Sequence, residues 1–262
     1  MNQSYVFSDN YYDNQFNRCP DAICKYVNFD DKNINTIIDF GCGHGIKALS
    51  IALRNPDKEV VGVDITDAFK KAKEFASSQL GIDLPGNLSF RKIMPGQSLR
   101  DFASPNLIYS WSVLEHIQKN LLEKIIHDMN ESLSPNGLVF TQIAPLYYSP
   151  YGSHLREYIK QPWGHLSMDY HTIKQITENG FGDILEETDK NKRKWMFDNY
   201  TRLNKITAEE LTDYFVNAGF GFKGRKIINT SIKPPRSLLY IYNESALTNN
   251  EIIFVNNKLA DT

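Results

Sequence analysis

Cysteine is scarce in this chain of 262 residues, which contains three: Cys19, Cys24 and Cys42. Their number is odd and they form no C-x-x-C pair, so neither a disulfide framework nor a zinc knuckle is predicted. A reducing cytoplasm suits such cysteine usage. His154, His165 and His171 have spacings that match no common metal motif, and we therefore expect no metal site.

Long apolar runs and an excess of one charge are also lacking. No stretch of about 18 apolar residues occurs, and the N-terminus lacks a basic region followed by an apolar core, so neither a membrane span nor a signal peptide is predicted. The 29 Lys and Arg against 31 Asp and Glu give a net charge of −2 and no overall basic field. We expect a cytoplasmic protein without a nucleic-acid or membrane partner, and the sequence does not indicate its oligomeric state.

Apolar runs alternate with helix-period segments between residues 35 and 143, which is typical of β-α-β units and a parallel sheet. Strands are predicted at residues 35–40, 58–63, 88–93, 106–110 and 138–143. A Thr207-x-x-Glu210 capping box opens a further helix. Residues 220–229 and 237–242 are then expected to form an antiparallel hairpin around Pro234-Pro235. The predicted fold is a doubly wound, mostly parallel α/β sheet of seven strands.

One domain spanning residues 1–262 is expected, with two additions. Residues 145–206 interrupt the alternation and are rich in aromatic side chains, and long insertions of this kind usually carry function. We interpret them as a substrate cap inserted after the fifth strand. Residues 1–30 are interpreted as an N-terminal helical lid, whose Tyr11, Tyr12 and Phe16 would close over a bound cofactor.

A glycine loop follows the first predicted strand and includes Asp39, Gly41, Gly43 and Gly45. Glycine lets the backbone approach a ligand closely. Asp64 ends the next strand, where a carboxylate can accept hydrogen bonds from ribose hydroxyls, so an adenosine-containing cofactor is expected. A nicotinamide dinucleotide is disfavoured because its G-x-G-x-x-G fingerprint requires glycine at position 46, which is occupied by isoleucine.

Four segments together carry a family resemblance: IIDFGCGHG, VVGVDIT, LIYSWSVLEHI and LSPNGLVF. As a set, they resemble the class I S-adenosylmethionine-dependent methyltransferases, which have a Rossmann-like fold, over about residues 35–143. The resemblance implies S-adenosylmethionine as cofactor and S-adenosylhomocysteine as product.

The resemblance also implies roles for individual residues. The amino-acid end of the cofactor would lie in the glycine loop, the ribose on Asp64, the adenine against Ile65 and the methyl group near the end of the fourth strand. Where the family usually has an acid near the adenine amine, this chain has Gln97 as a substitute hydrogen-bond partner. The implied cofactor residues are Asp39, Gly41, Cys42, Gly43, Asp64, Ile65, Gln97, Ser110, Trp111 and Ser112.

Histidine is the natural general base near neutral pH. His116 lies at the crevice by its place in the resemblance, whereas His154 and His165 belong to turn-rich segments after the fifth strand. We favour His154 as the base; the alternative is that the cap histidines only satisfy backbone groups. Four aromatic residues are expected to shape the acceptor pocket: Tyr12, Tyr148, Tyr151 and Trp163.

The predicted function is methyl transfer to a hydroxyl oxygen of a small molecule, such as a sugar or a natural-product intermediate. Methylation of a nitrogen is a close alternative, and a non-catalytic cofactor-binding module is another. RNA methylation would require a basic cleft and an appended binding domain, and the sequence indicates neither.

Overall fold

A computed structural model describes residues 5–180 and 186–259 of the chain. Its centre is a seven-stranded sheet with the strand order β3-β2-β1-β4-β5-β7-β6. The strands are β1 Thr36–Phe40, β2 Glu59–Asp64, β3 Leu88–Lys92, β4 Leu107–Trp111, β5 Leu138–Ile143, β6 Phe220–Asn229 and β7 Asn249–Lys258.

Helices cover both faces of this sheet and form the additions to it. Short 3₁₀ or π segments lie at Asn14–Arg18, Ala68–Lys70, Ala76–Leu80, Leu99–Asp101 and Leu114–His116. The α-helices are α1 Asn10–Asp13, α2 Cys19–Cys24, α3 Ile46–Arg54, α4 Lys71–Phe75, α5 Lys119–Ser132, α6 Gly164–Ser167, α7 Tyr170–Asn179, α8 Glu187–Arg202, α9 Ala208–Asn217, α10 Arg236–Leu239 and α11 Glu244–Thr248.

The first five strands are parallel, and β7 runs antiparallel to both β5 and β6. Neighbouring residues of β1 bury into different cores: Ile37 packs with one cluster and Ile38 with the other, each fully buried. Successive side chains on a strand point to opposite faces, so a strand covered on both sides can carry apolar residues at consecutive positions. The sheet confirms the predicted fold class.

The strand order reverses between β1 and β4, because β2 lies on one side of β1 and β4 on the other. In open α/β sheets the ligand crevice lies at this reversal, beyond the carboxyl ends of the strands. The loops after β1, β2, β4 and β5 therefore surround the candidate site.

The predicted strand at residues 237–242 is wrong. Residues 236–239 form helix α10, which begins directly after Pro235, and the last strand is β7. Leu238 turns inward to pack with Trp163 and Leu247, while Ile252–Val255 are buried between β5 and β6. Residues 230–248 therefore form a helical insertion between β6 and β7. Because β6 runs parallel to β5, this insertion lies at the carboxyl edge of the sheet.

The segment after β5 has a small core of its own. Leu155, Ile159, Ile173 and Phe197 are buried together between the loop after β5 and helices α7 and α8. No helix within residues 5–180 and 186–259 is long and apolar enough to cross a membrane.

Candidate functional site

The glycine loop joins β1 to α3, and its glycines have different physical roles. Gly41, Gly43 and Gly45 have φ of 75°, 54° and 74°, in the left-handed region that favours glycine. A Cβ on Gly41 would lie 2.5 Å from the Val113 side chain, and one on Gly45 would lie 2.6 Å from Phe90. Around Gly43, in contrast, nothing lies within 4 Å of a Cβ position. Gly41 and Gly45 thus permit close packing, whereas Gly43 leaves open space for a ligand.

Asp64, at the end of β2, is tied to this loop. Its Oδ2 accepts a hydrogen bond from the Gly43 amide at 2.9 Å, and its Oδ1 accepts from the amide and the hydroxyl of Thr66, each at 2.8 Å. A carboxylate has about four acceptor positions. Roughly one position therefore remains, on Oδ2, beside the open space at Gly43.

Asp39, the last-but-one residue of β1, is fully buried. Burial raises the pKa of its carboxyl to about 6, although the neighbouring Lys47 ammonium and Tyr109 hydroxyl favour the charged form. Neither carboxylate oxygen has a partner at hydrogen-bonding distance among the described residues. Buried polar atoms without partners are uncommon in native proteins and are often found at binding sites.

The remaining predicted cofactor residues are placed unequally. Ile65 is 64% exposed after β2, as an apolar platform would be. Because the Cys42 side chain is buried, Cys42 can contact a ligand in the crevice only through its backbone. Burial also raises the pKa of its thiol. Gln97 uses its Oε1 to accept from the Met94 amide within its own turn. Ser110 is fully buried, and Trp111 stacks on Phe140 with ring centroids 6.2 Å apart.

The end of β4 continues into a hydrogen-bonded chain that sequence reasoning missed. Ser112 has φ of 54°, and its hydroxyl donates to Gln142 Oε1 at 3.1 Å. The Gln142 amide in turn donates to Glu251 Oε1 at 2.9 Å. Gln142 could have been found, since it lies near the carboxyl end of a predicted strand. Glu251 could not, because β7 was not predicted.

The N-terminal helices pack on the glycine-loop side of the sheet. The Tyr11 hydroxyl lies 2.7 Å from His44 Nδ1, and Lys47 donates to Gln15 Oε1 at 3.0 Å. Tyr12 contacts Phe75 edge to face, with centroids 4.9 Å apart. These contacts connect residues 11–15 to the loop, to the first turn of α3 and to the end of α4.

The predicted histidines meet where the loops after β4 and β5 come together. The rings of His116 and His154 pack edge to face at 5.4 Å. His154 Nε2 lies 3.3 Å from the Pro145 carbonyl, and His165 Nε2 lies 2.7 Å from the Tyr147 carbonyl. A carbonyl only accepts, so both Nε2 atoms carry the proton and both Nδ1 atoms hold a lone pair. Burial lowers the pKa of His154, and that of His165 to about 4, so burial favours the neutral form of both rings.

The aromatic residues predicted for the acceptor divide into two groups. Trp163 is 1% exposed, its Nε1 donates to the Tyr148 carbonyl at 3.0 Å, and its ring packs on Leu238, so it holds the segment after β5 to the β6–β7 insertion. Tyr148 and Tyr151 are half-buried. His165, 5% exposed, resembles Trp163 in its burial and in its bond to a backbone carbonyl.

Glu115 is a further buried group at this place. It lines a narrow cleft together with His154 and Asn204. Its side chain is 4% exposed, neither carboxylate oxygen has a partner in the described part of the chain, and burial raises its pKa to about 8. No group of three or more His, Cys, Asp or Glu residues suited to a metal ion occurs among the described residues.

Comparisons with known proteins show the family of the chain. A family model described as a methyltransferase domain matches residues 11–222. The uncharacterized protein RP028 of Rickettsia prowazekii (strain Madrid E) is 27% identical over 106 residues, which make up 40% of each protein, so the match spans less than half of that relative.

Solved structures show the same fold at low identity. An O-methyltransferase family protein from Burkholderia thailandensis superposes with a TM-score of 0.56 at 11% identity, over 94% of this chain and 56% of that one. Magnesium protoporphyrin IX methyltransferase from Synechocystis PCC 6803, with bound S-adenosylhomocysteine, gives 0.52 at 13% identity, over 99% and 90%. At such identities the likeness shows the fold alone.

Proposed function

Because the chain belongs to the class I S-adenosylmethionine-dependent methyltransferases, we propose that it methylates an oxygen atom of a small molecule, with His154 as the general base. The observation that carries the proposal is the position of the His154 imidazole after β5, at the carboxyl edge of the sheet, with its Nε2 3.3 Å from the Pro145 carbonyl. Its Nε2–H is engaged by the Pro145 carbonyl, which leaves Nδ1 as the proton acceptor. An alcohol loses its proton as its oxygen is methylated, so an acceptor hydroxyl would hand that proton to Nδ1.

The residues of the glycine loop fit the cofactor. The open space at Gly43, the remaining acceptor position of Asp64 and the unpartnered carboxylate of Asp39 together offer room and acceptors for an adenosyl amino acid. We assign the ribose to Asp64, the amino-acid end to the loop near Asp39 and the adenine to the exposed Ile65. When bound, S-adenosylmethionine supplies an activated methyl group, so the protein has chiefly to align the acceptor and to exclude water.

The additions to the sheet complete this proposal. We assign residues 145–206 to a cap over the acceptor and residues 1–30 to a lid over the cofactor, supported by the contact of Tyr11 with His44. Tyr148 and Tyr151 are half-buried on the cap and suit an acceptor wall, while Tyr12 would close the lid side. Small-molecule specificity is supported by the named activity of the Synechocystis neighbour.

Calorimetric titration with S-adenosylmethionine, S-adenosylhomocysteine and NAD, followed by a screen with methyl-labelled cofactor, tests the proposal. Binding of the first two ligands but not NAD is expected, with label appearing in hydroxylated small molecules. Label in amines alone would contradict oxygen as the acceptor atom. Tight cofactor binding with no transfer to any acceptor would instead favour a non-catalytic module.

A further inference from the structure

The outer edge of the sheet has an unusual charge pattern. Between Tyr214 and Asn243 the sequence contains five cationic residues and no acidic one, although the whole chain has a net charge of −2. None of these cations forms a salt bridge within the part of the chain that the structure describes. All five are exposed: Lys223, Arg225, Lys226, Lys233 and Arg236.

Apolar side chains are exposed in the β6–β7 insertion, the segment that also contains Lys233 and Arg236. Leu239 is 41% exposed, Tyr240 88% and Ile241 70%, and Ile232 adds 37% on the other side of the two prolines. Leu238 anchors the segment against Trp163 and Leu247, so its three successors face outward. We call these four exposed residues, together with the five cations, the basic-apolar edge.

Two ordinary explanations account for only part of this pattern. Cations on an edge strand discourage pairing with another sheet, and β6 is the outermost strand. That function does not require three consecutive exposed apolar residues in the adjoining insertion. Isolated exposed apolar residues are normal on soluble proteins, but a contiguous apolar patch rimmed by polar groups marks an interaction site.

We propose that the basic-apolar edge docks the protein on the surface of an anionic lipid bilayer. A bilayer interface offers anionic headgroups to the cations and, a few ångströms deeper, an apolar region to Leu239, Tyr240 and Ile241. This peripheral docking would add a membrane partner, which the sequence alone does not predict. It does not depend on methyl transfer. Because the insertion lies at the carboxyl edge of the sheet, docking would bring the crevice loops near the bilayer.

Cosedimentation of the full chain tests the proposal, with vesicles of phosphatidylcholine alone and with vesicles that also contain phosphatidylglycerol. Binding is expected to the anionic vesicles and to weaken as salt is added. Each cation near an anionic surface contributes about fivefold in affinity. The double variant Lys233→Glu/Arg236→Glu should therefore lose at least about tenfold.

A second variant and a matched control separate docking from general effects. Leu239→Ser/Tyr240→Ser/Ile241→Ser should also release the protein, because it keeps every charge but removes the apolar contact. The control Lys32→Glu/Lys194→Glu makes the same change in net charge at exposed lysines elsewhere and should bind like the unmodified protein. Unchanged melting temperatures show that each variant is folded. Failure of the unmodified protein to bind anionic vesicles would overturn the proposal, as would equal binding by the edge variants.

Discussion

Replacing Asp64 by asparagine tests the cofactor assignment most directly. The carboxylate accepts three hydrogen bonds, from the Gly43 amide and from two donors of Thr66, and has one acceptor position left on Oδ2. Asparagine has nearly the same shape but only one acceptor oxygen, and its amide group must face either Gly43 or Thr66, which both donate. We propose that a ribose hydroxyl of the cofactor donates to the acceptor position that this substitution removes.

The expected size follows from these contacts. A hydrogen bond to a charged acceptor contributes about 1.5–3 kcal/mol, so Asp64→Asn should weaken S-adenosylmethionine binding about 10- to 150-fold. The amide facing a donor should also cost folding stability, on the order of 1–3 kcal/mol. Isothermal titration calorimetry measures the first effect and denaturant unfolding the second.

A matched control is available in Thr66→Val. It removes the hydroxyl donor to Oδ1 but keeps the carboxylate, its charge and the position beside Gly43. Its affinity for S-adenosylmethionine should stay close to that of the unmodified protein. If Asp64→Asn binds the cofactor as tightly as the control does, the ribose does not lie on Asp64 and our placement of the cofactor fails.

Three other substitutions probe the base, a buried acid and the packing under the loop. His154→Gln keeps a donor for the neighbouring carbonyl but cannot take a proton, so the turnover rate should fall about 10²- to 10⁴-fold while cofactor affinity stays unchanged. Undiminished turnover would mean that His154 has only a structural role. Burial raises the pKa of Glu115 from 4.5 to about 8, so the folding stability falls as pH rises through this range. Glu115→Gln should therefore stabilise the protein by on the order of 2–4 kcal/mol near pH 8 and by little near pH 4. Melting-temperature profiles against pH that run parallel for the two proteins would refute this. A Cβ on Gly62 would lie 2.6 Å from Phe90, whereas nothing lies within 4 Å of a Cβ on Gly86. In denaturant unfolding, Gly62→Ala should lower the free energy of unfolding by about 1–3 kcal/mol and Gly86→Ala by almost nothing. Equal effects would contradict the packing argument.

The elements β1, β2 and α9 and the glycine loop could be predicted from the sequence because their signals are local. Ile37 and Ile38 are both buried, on opposite faces of the sheet, so β1 shows consecutive apolar residues and not an alternating pattern. The glycine loop follows it directly, and Asp64 closes β2 as predicted. Thr207 and Glu210 form the expected capping box before α9. Each of these features is decided by residues within a few positions of one another.

Residues 237–242 show why the β6–β7 insertion and β7 could not be predicted from the sequence. Their leucine, isoleucine and tyrosine residues favour a strand, yet the conformation is decided by Leu238 packing against Trp163, 75 positions earlier in the chain. β7 has polar residues at both ends and only four central residues that are continuously apolar, so its pairing with β5 gave no clear local signal.

This difference also explains how the predicted acceptor residues are distributed. An aromatic-rich insertion must bury some of its rings to stay folded, and aromatic content does not tell which ones. Trp163 and His165 bond to backbone carbonyls of Tyr148 and Tyr147, so they fix the path of the chain after β5. That fixed path carries His154 to the ring of His116. We infer that the buried residues position the loop, and we assign acceptor contacts to Tyr148 and Tyr151, which are half-buried beside them.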